Sequence, residues 1–240
     1  MKNGERLDKI VANMGYGSRK DVKKHIKNGR VKVNNEIIRN NELKINPEKD
    51  IIHFDDIQVN YRKFIYLMMN KPQGLVSSTD DSRSKTVVDI IDNKYKVFKP
   101  FPVGRLDKDT EGLLIISNDG KMAHELLSPR KKVNKKYYVE VDNYIEDEHI
   151  NIFSEGITLD DGYKTLPSQL EVVNSSIISR VYLTIQEGKF HQVKRMFDTI
   201  GMKVIYLKRV SMGDLNLDKT LEPGEYRELT EYEINVLRNS

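Results

Sequence analysis

The chain reads as an α+β protein in two parts: a small basic α/β unit over residues 1–58 and a larger body over 64–240, with a polar linker at 59–63. Three observations predict this. Helical spacing in the first thirty residues gives way to short strand patterns with a hairpin turn. From residue 64 onward, apolar and alternating runs recur between short helical patterns, each bounded by Gly, Asn, Ser or Pro. The positive charge is also uneven: residues 1–58 hold 13 Lys+Arg against 9 Asp+Glu, whereas the remainder holds 27 of each. That asymmetry predicts a polyanion-binding module attached to a near-neutral body.

In residues 5–14, Leu7, Ile10, Val11 and Met14 recur at helical spacing and Gly15-Tyr16-Gly17 stops the pattern. Ser18 then supplies an N-cap for a second helix, with Asp21 at the capping-box position, Val22 and Ile26 inward, and Asn28-Gly29 as the stop. The outer face of this helix carries Arg19, Lys20, Lys23, Lys24 and Lys27. Val31-Lys32-Val33, Asn34-Asn35 and Glu36-Ile37-Ile38 form a strand, a tight turn and a returning strand. A lysine run on a helix is ordinarily a solvated face. Here Arg30 and Lys32 carry the basic face onto the adjacent strand, which makes a patch suited to phosphates.

The body opens with a buried strand at Phe64–Met69, then the turn Asn70-Lys71-Pro72-Gln73-Gly74 and a polar loop at 77–83. Thr86 is placed to cap a short helix over Val87, Val88, Ile90 and Ile91. After Asn118-Asp119-Gly120, Ala123, Leu126 and Leu127 predict one or two helical turns. A basic loop from Lys131 then runs into a strand with adjacent Tyr137 and Tyr138. Neighbouring strand residues face opposite ways, so one ring can pack in the core while the other meets a cleft flanked by lysines. A tyrosine pair is ordinarily core and sheet surface; interleaved with basic residues, an exposed ring also suits a stacked nucleobase.

Residues 142–157 fit a peripheral helix, and 166–186 two strands turning at Asn174-Ser175-Ser176. Phe190, Val193, Met196, Phe197 and Ile200 then lie at helical spacing before Gly201, leaving Gln192, Lys194 and Arg195 off the apolar stripe. His191 reads as a local hydrogen-bonding or nucleic-acid-contacting group, because no acid is placed by sequence to pair with it. Lys203–Val210 forms a further strand, and 221–230 a turn, a strand and a helix cap.

Gly104-Arg105-Leu106-Asp107-Lys108-Asp109-Thr110-Glu111-Gly112 concentrates charge directly before the apolar run Leu113-Leu114-Ile115-Ile116. Three acids on one face of an extended strand would repel, so either they ring a cation or the chain turns and separates them. The flanking glycines favour a loop entering a buried strand, with one carboxylate facing a cleft. An acidic surface loop is the ordinary reading of such a run. A dehalogenase-type phosphatase pattern fails, since the acids precede the strand and Glu111 stands where Thr or Val is required. A divalent metal site needs further converging carboxylates, and none is marked.

At 240 residues the chain can bury a substantial core, and it has no cysteine, which excludes disulfides and thiolate metal sites. No apolar run approaches a membrane span, and no signal-peptide pattern is present, so the expected setting is the cytoplasm.

Ser18-Arg19-Lys20 through Gly29-Arg30-Val31-Lys32-Val33-Asn34 resembles the S4 RNA-binding domain, which implies binding of structured RNA through its shape and backbone. Four further stretches follow in order: Met69-Asn70-Lys71-Pro72-Gln73-Gly74; Gly104-Arg105-Leu106-Asp107 with Asp109-Thr110-Glu111-Gly112-Leu113; Lys135-Lys136-Tyr137-Tyr138-Val139; and Glu187-Gly188-Lys189-Phe190-His191-Gln192-Val193-Lys194-Arg195-Met196. With the S4-like start, nearly the whole chain resembles the ribosomal small-subunit pseudouridine synthase family, in particular the type acting on 16S rRNA at position 516.

The resemblance implies a catalytic domain built on a mixed, mainly antiparallel β-sheet with peripheral helices. It makes Asp107 the catalytic carboxylate, Tyr137 the ring that stacks on the target base and Lys194 the cation paired with Asp107, with Arg105, Arg195 and Gln192 in support. RNA contacts are expected from Arg6, Ser18, Arg19, Lys20, Lys23, Lys24, Lys27, Arg30 and Lys32, and from Lys71, Lys135 and Lys136. Lys136 stands where Thr is common, and Lys194 where Arg is frequent, so Arg195 is the alternative partner of Asp107. The implied protein needs no cofactor or metal, works as a monomer away from membranes, and has 16S rRNA or the assembling small subunit as its partner. A 23S-directed enzyme of the family, a non-catalytic S4-type RNA-binding protein and a metal-dependent phosphodiesterase are the alternatives.

Overall fold

The computed structural model describes residues 4–239, which divide into two compact units. The first takes the chain up to Ile65 together with residues 92–100, and the second takes the rest.

In the first unit, β1 (Glu5–Arg6) pairs antiparallel with β4 (Lys44–Ile45), and α1 (Leu7–Asn13) and α2 (Arg19–Lys27) follow one another. Ser18 and Asp21 form the expected capping box at the start of α2. A four-stranded sheet runs in the order β3 (Glu36–Ile37), β2 (Val31–Val33), β5 (Ile52–Phe54), β6 (Ile57–Gln58). Asn34 and Asn35 both take positive φ, 51° and 69°, the geometry a two-residue hairpin turn demands. Leu7, Ile10, Val11, Val22, Ile26, Val31 and Ile52 form one apolar core, so the helical and strand periodicities meet as expected. Val59 is buried in that same core and Tyr61 donates to Glu5, so residues 59–61 of the expected linker pack with the first unit. The helix expected over residues 87–91 is absent. Thr86 and Asp89 close a turn through reciprocal side-chain bonds, and the helix in this region is α3, Asn93–Lys96. Four apolar residues within five leave no polar face for a helix to expose.

The second unit is built on one nine-stranded sheet. Its main path is β11 (Gln169–Asn174), β12 (Ile178–Ile185), β10 (Lys135–Asp142), β13 (Val204–Met212), β9 (Glu111–Ser117), β7 (Tyr66–Lys71), β15 (Tyr226–Glu228). The strand β8 (Phe101–Val103) also pairs with β9, and β14 (Leu215–Asn216) with β13. All pairs are antiparallel except β13–β9, the mixed, mainly antiparallel sheet the resemblance implies. Helices α4 (Gly120–Leu127), α5 (Asp147–Glu155), α6 (Gln192–Thr199) and α7 (Glu231–Asn239) connect or flank the strands. No helix of the described residues is long and apolar enough to cross a membrane.

The parallel pair positions the site. Because β9 and β13 run the same way, the loop entering β9 arrives beside Arg209 of β13, and antiparallel β10 sets Tyr137 opposite that same Arg209. Gly112 permits this approach: its φ is +103°, and a Cβ there would stand 2.2 Å from the Arg209 carbonyl oxygen. Gly112→Ala is therefore expected to lower unfolding stability by about 3 kcal/mol or more, from backbone strain plus overpacking, read as a drop in the urea midpoint at unchanged slope.

Candidate functional site

The loop before β9 turns, as the separation of its three acids requires. Thr110 N donates to Asp107 O at 3.0 Å, closing a turn at residues 107–110, and the acids diverge. Asp107 lines a cleft together with Arg105, Tyr137, His191 and Lys194. Asp109 projects outward, with 67% of its side chain exposed, and Glu111 accepts a bond from Tyr206 on the sheet.

Lys194, on α6, serves two of the acids. Its Nζ lies 2.6 Å from Asp109 Oδ1 and 3.8 Å from Asp107 Oδ2. Burial works to raise the Asp109 pKa, and the Lys194 ammonium overrides it and holds the carboxyl below its ordinary value. Asp107 has a second neighbour, His191 Nε2, at 3.6 Å. Sequence reasoning left His191 without an acid, because the pairing spans 84 residues of chain and depends on a left-handed backbone at His191, φ 49°, just before α6. The His191 ring stacks on Phe190 at 3.8 Å. Phe190 is 75% exposed and precedes the helix, so it does not belong to the inward stripe in which its spacing placed it.

Tyr137 faces the cleft and is 7% exposed, while Tyr138 lies on the opposite face beside Tyr182 and Tyr206. The alternation of strand side chains decides this. Among the supporting residues, Arg105 is exposed and lines the cleft. Gln192 is buried and not on the outer face of α6: its amide donates to Glu187 and its carbonyl oxygen accepts from the Lys189 N–H. Arg195 bonds Asp160 and Asp161, so Lys194 is the cation that reaches Asp107. Two consecutive helix positions lie about 100° apart, and only one can face the acid loop.

Three lysines expected to hold RNA are already engaged within the protein, by burial or by pairing. Lys71 is fully buried, and its Nζ donates to the carbonyls of Thr110 (2.9 Å), Pro72 and Asp107 (both 3.0 Å) and Lys108 (3.4 Å). It clamps the acid loop from beneath and does not meet solvent. Lys135 is buried too, its ammonium donating to Val133 O. Lys136 turns to the Tyr138 face, pairs with Glu171 and lies over the Tyr182 ring.

In the first unit, Arg6 and Arg19 both bond the carboxylate of Asp8, which is fully buried. Arg30 pairs with Asp55 and covers the Phe54 ring, Lys32 pairs with Asp56, and the Ser18 hydroxyl is taken up by Asp21. Lys20, Lys23, Lys24 and Lys27 are exposed, share one face of α2, and form no ion pair among the described residues. The unneutralised basic surface is thus the helix face, narrower than the helix-and-strand patch expected. Among the described residues no group of three His, Asp or Glu side chains converges as metal ligands.

A model of the RNA pseudouridylate synthase family matches residues 65–199, and one of the S4 domain matches residues 5–52. The chain is 50% identical over 233 residues to an uncharacterized RNA pseudouridine synthase, YtzG, of Bacillus subtilis, covering 97% of this chain and 98% of the relative. It is 40% identical over 230 residues to ribosomal small subunit pseudouridine synthase A of Escherichia coli, covering 95% and 98%. A crystal structure of a pseudouridylate synthase superposes with a TM-score of 0.68 at 39% identity, covering 97% of this chain and 99% of that one. The two family matches and these relatives define the class, an enzyme that isomerises uridine in RNA. Within that class the chain belongs to the RNA pseudouridylate synthase family.

Burial lowers the pKa of both Lys71 and Lys135 from 10.5 to about 8, against the pull of Asp107, Asp109 and Glu111 on Lys71 and of Glu187 on Lys135. A lysine whose pKa is depressed in the folded state binds fewer protons there than in the unfolded chain between the two values. The stability it withholds below about pH 8 therefore returns as pH rises toward 10.5. Urea unfolding of the wild type should show stability climbing from pH 8 to 10. Lys71→Met should be less stable throughout and climb less steeply, and an equal slope in both proteins would contradict this role for Lys71.

Proposed function

We propose that this enzyme converts uridine to pseudouridine in 16S ribosomal RNA, of the type acting at position 516, as a cytoplasmic monomer that needs no cofactor. Asp107 is the catalytic carboxylate, Tyr137 the ring that stacks on the target base and Lys194 the cation that accompanies Asp107. One observation carries this reading: a carboxylate, an aromatic ring and an ammonium from three separate chain segments line one cleft. Relatives at 40% identity are named as ribosomal small-subunit enzymes, which supports the choice of 16S over 23S rRNA.

The chemistry suits these groups. The N1–C1′ bond of the uridine breaks, the freed base turns, a C5–C1′ bond forms, and the proton lost from C5 is balanced by one gained at N1. Nothing is oxidised and no group is carried away. Reaching the bond requires the nucleotide to leave its stack, at a few kcal/mol, and stacking on Tyr137 offsets about 1–3 kcal/mol of that. Asp107 acts as the anion in each of the available routes: attack at the ribose C1′, addition to the base C6, or proton abstraction toward a glycal. Lys194 contributes a compact point charge and not a two-pronged fork.

The purified protein, in EDTA, should form pseudouridine in a 16S transcript or an immature small subunit, read by chemical mapping of the modified position. Asp107→Asn should reduce the rate by at least about 10³-fold while RNA affinity changes little. Retained RNA affinity with no conversion on any ribosomal RNA by the wild type would favour a binding protein, and EDTA-sensitive activity a metal enzyme. Separately, Lys20, Lys23 and Lys24 replaced by Ala should weaken RNA binding and reduce the slope of log affinity against log salt by about 0.7–0.9 for each phosphate no longer neutralised. An unchanged slope would remove this helix as the anchor.

A further inference from the structure

A second cavity, of about 430 Å³, lies next to the Asp107 cleft and shares the Tyr137 ring with it. The isomerisation as described makes no use of it. Two cations in its wall are more than nine-tenths buried: Arg209, 2% exposed, and Lys135, 9% exposed. Strand pairing puts them there, because β10 sets Tyr137 opposite Arg209 and a bulge follows Lys136 in that pairing. Arg209 Nε donates to Leu113 O at 2.8 Å, but its Nη2 is buried with no partner among the described residues. Lys135 Nζ donates to Val133 O at 3.0 Å.

The carboxylate in this wall, Glu187, is already supplied with donors. Its Oε1 accepts from Leu166 N and Gln192 Nε2, and its Oε2 from Tyr163 OH. Two buried cations, with Arg105 and Lys189 also in the wall, therefore stand against one carboxylate whose oxygens are occupied, leaving positive charge in surplus and a guanidinium N–H unmatched. Burying such a group without an acceptor is costly, and an anion with several oxygens is what removes the cost.

We propose that this cavity is a phosphate subsite, holding the phosphodiester next to the nucleotide that stacks on Tyr137. The assignment rests on the reading of the Asp107 cleft as a nucleotide pocket. A phosphodiester carries a negative charge on oxygens that accept hydrogen bonds, which suits a wall with surplus positive charge. Arg209 offers it a planar fork and Lys135 a point charge. A ribose or a base in this place would leave that surplus unneutralised. The shared ring couples the two pockets: a phosphate held on one side of Tyr137 fixes the reach of the backbone that delivers the base to the other.

The test has two arms. Inorganic phosphate is titrated against the full chain at constant ionic strength, and the Lys135 side-chain resonance, assigned by its loss in Lys135→Met, is followed with pH. Its pKa should rise by about one unit relative to chloride, because a bound anion favours the ammonium. In the second arm, an rRNA fragment bound by the wild type has its phosphates replaced singly by neutral methylphosphonates. Wild-type binding should fall about tenfold at one position beside the target uridine, and Lys135→Met should be indifferent to that replacement. The wild-type scan stands without any variant. An unmoved Lys135 pKa, or uniform tolerance of the methylphosphonates, overturns the proposal. A moved pKa with uniform tolerance means a free-anion site and overturns the RNA assignment. A moved pKa and a sensitive position without uridine conversion would leave the subsite standing and defeat the functional reading instead.

Discussion

The buried ammonium of Lys71 is the interaction on which the catalytic unit depends. Removing an ammonium from water costs several kcal/mol even after relaxation, and here four backbone carbonyls and three nearby carboxylates offset part of that cost. Three of the carbonyls, from Asp107, Lys108 and Thr110, belong to the loop that carries the acid. The loop's shape is thus set from its backbone, which leaves the Asp107 side chain free to face the cleft. A carboxylate held by its own side-chain bonds would be positioned but already neutralised. This loop positions Asp107 without using up its charge.

Charge in the cleft is shared in a graded way. Asp109 takes the short contact with Lys194, and Asp107 keeps longer ones to Lys194 and His191. The exposed acid thus anchors the lysine, while the acid lining the cleft is left less tightly held and available to a substrate. A similar division of roles recurs in the first unit, where the arginines brace buried or neighbouring acids and the lysines of α2 face outward. Arginine suits the bracing because its fork meets a carboxylate at two points, whereas lysine is a hydrated point charge suited to a mobile polyanion surface.

The elements that were legible in the sequence are those whose signal is local. The capping box at Ser18, the Asn34-Asn35 hairpin and the division of Tyr137 from Tyr138 each follow from a few adjacent residues and the periodicity of one element. The misreadings have a common source. Residues 87–91 showed apolar content without an exposed face, Phe190 matched a helical spacing before the helix began, and Lys71 and Lys135 were read as surface cations because lysine is seldom buried. In the last case the burial depends on carbonyls and strands far along the chain, which no window of sequence contains.

By itself the sequence determined the kind of elements, their order, the confinement of excess positive charge to the first unit, and the motifs that identify the family, because each of these is a property of residues close together in the chain. The tertiary structure alone decided which cation meets Asp107, that His191 stands beside it, and that Arg209 and Lys135 share a buried wall with Tyr137. Those relations arise where β9 and β13 run parallel and β10 runs against β13. A register between strands about a hundred residues apart is fixed by packing of the whole sheet, and only the folded sheet carries that information.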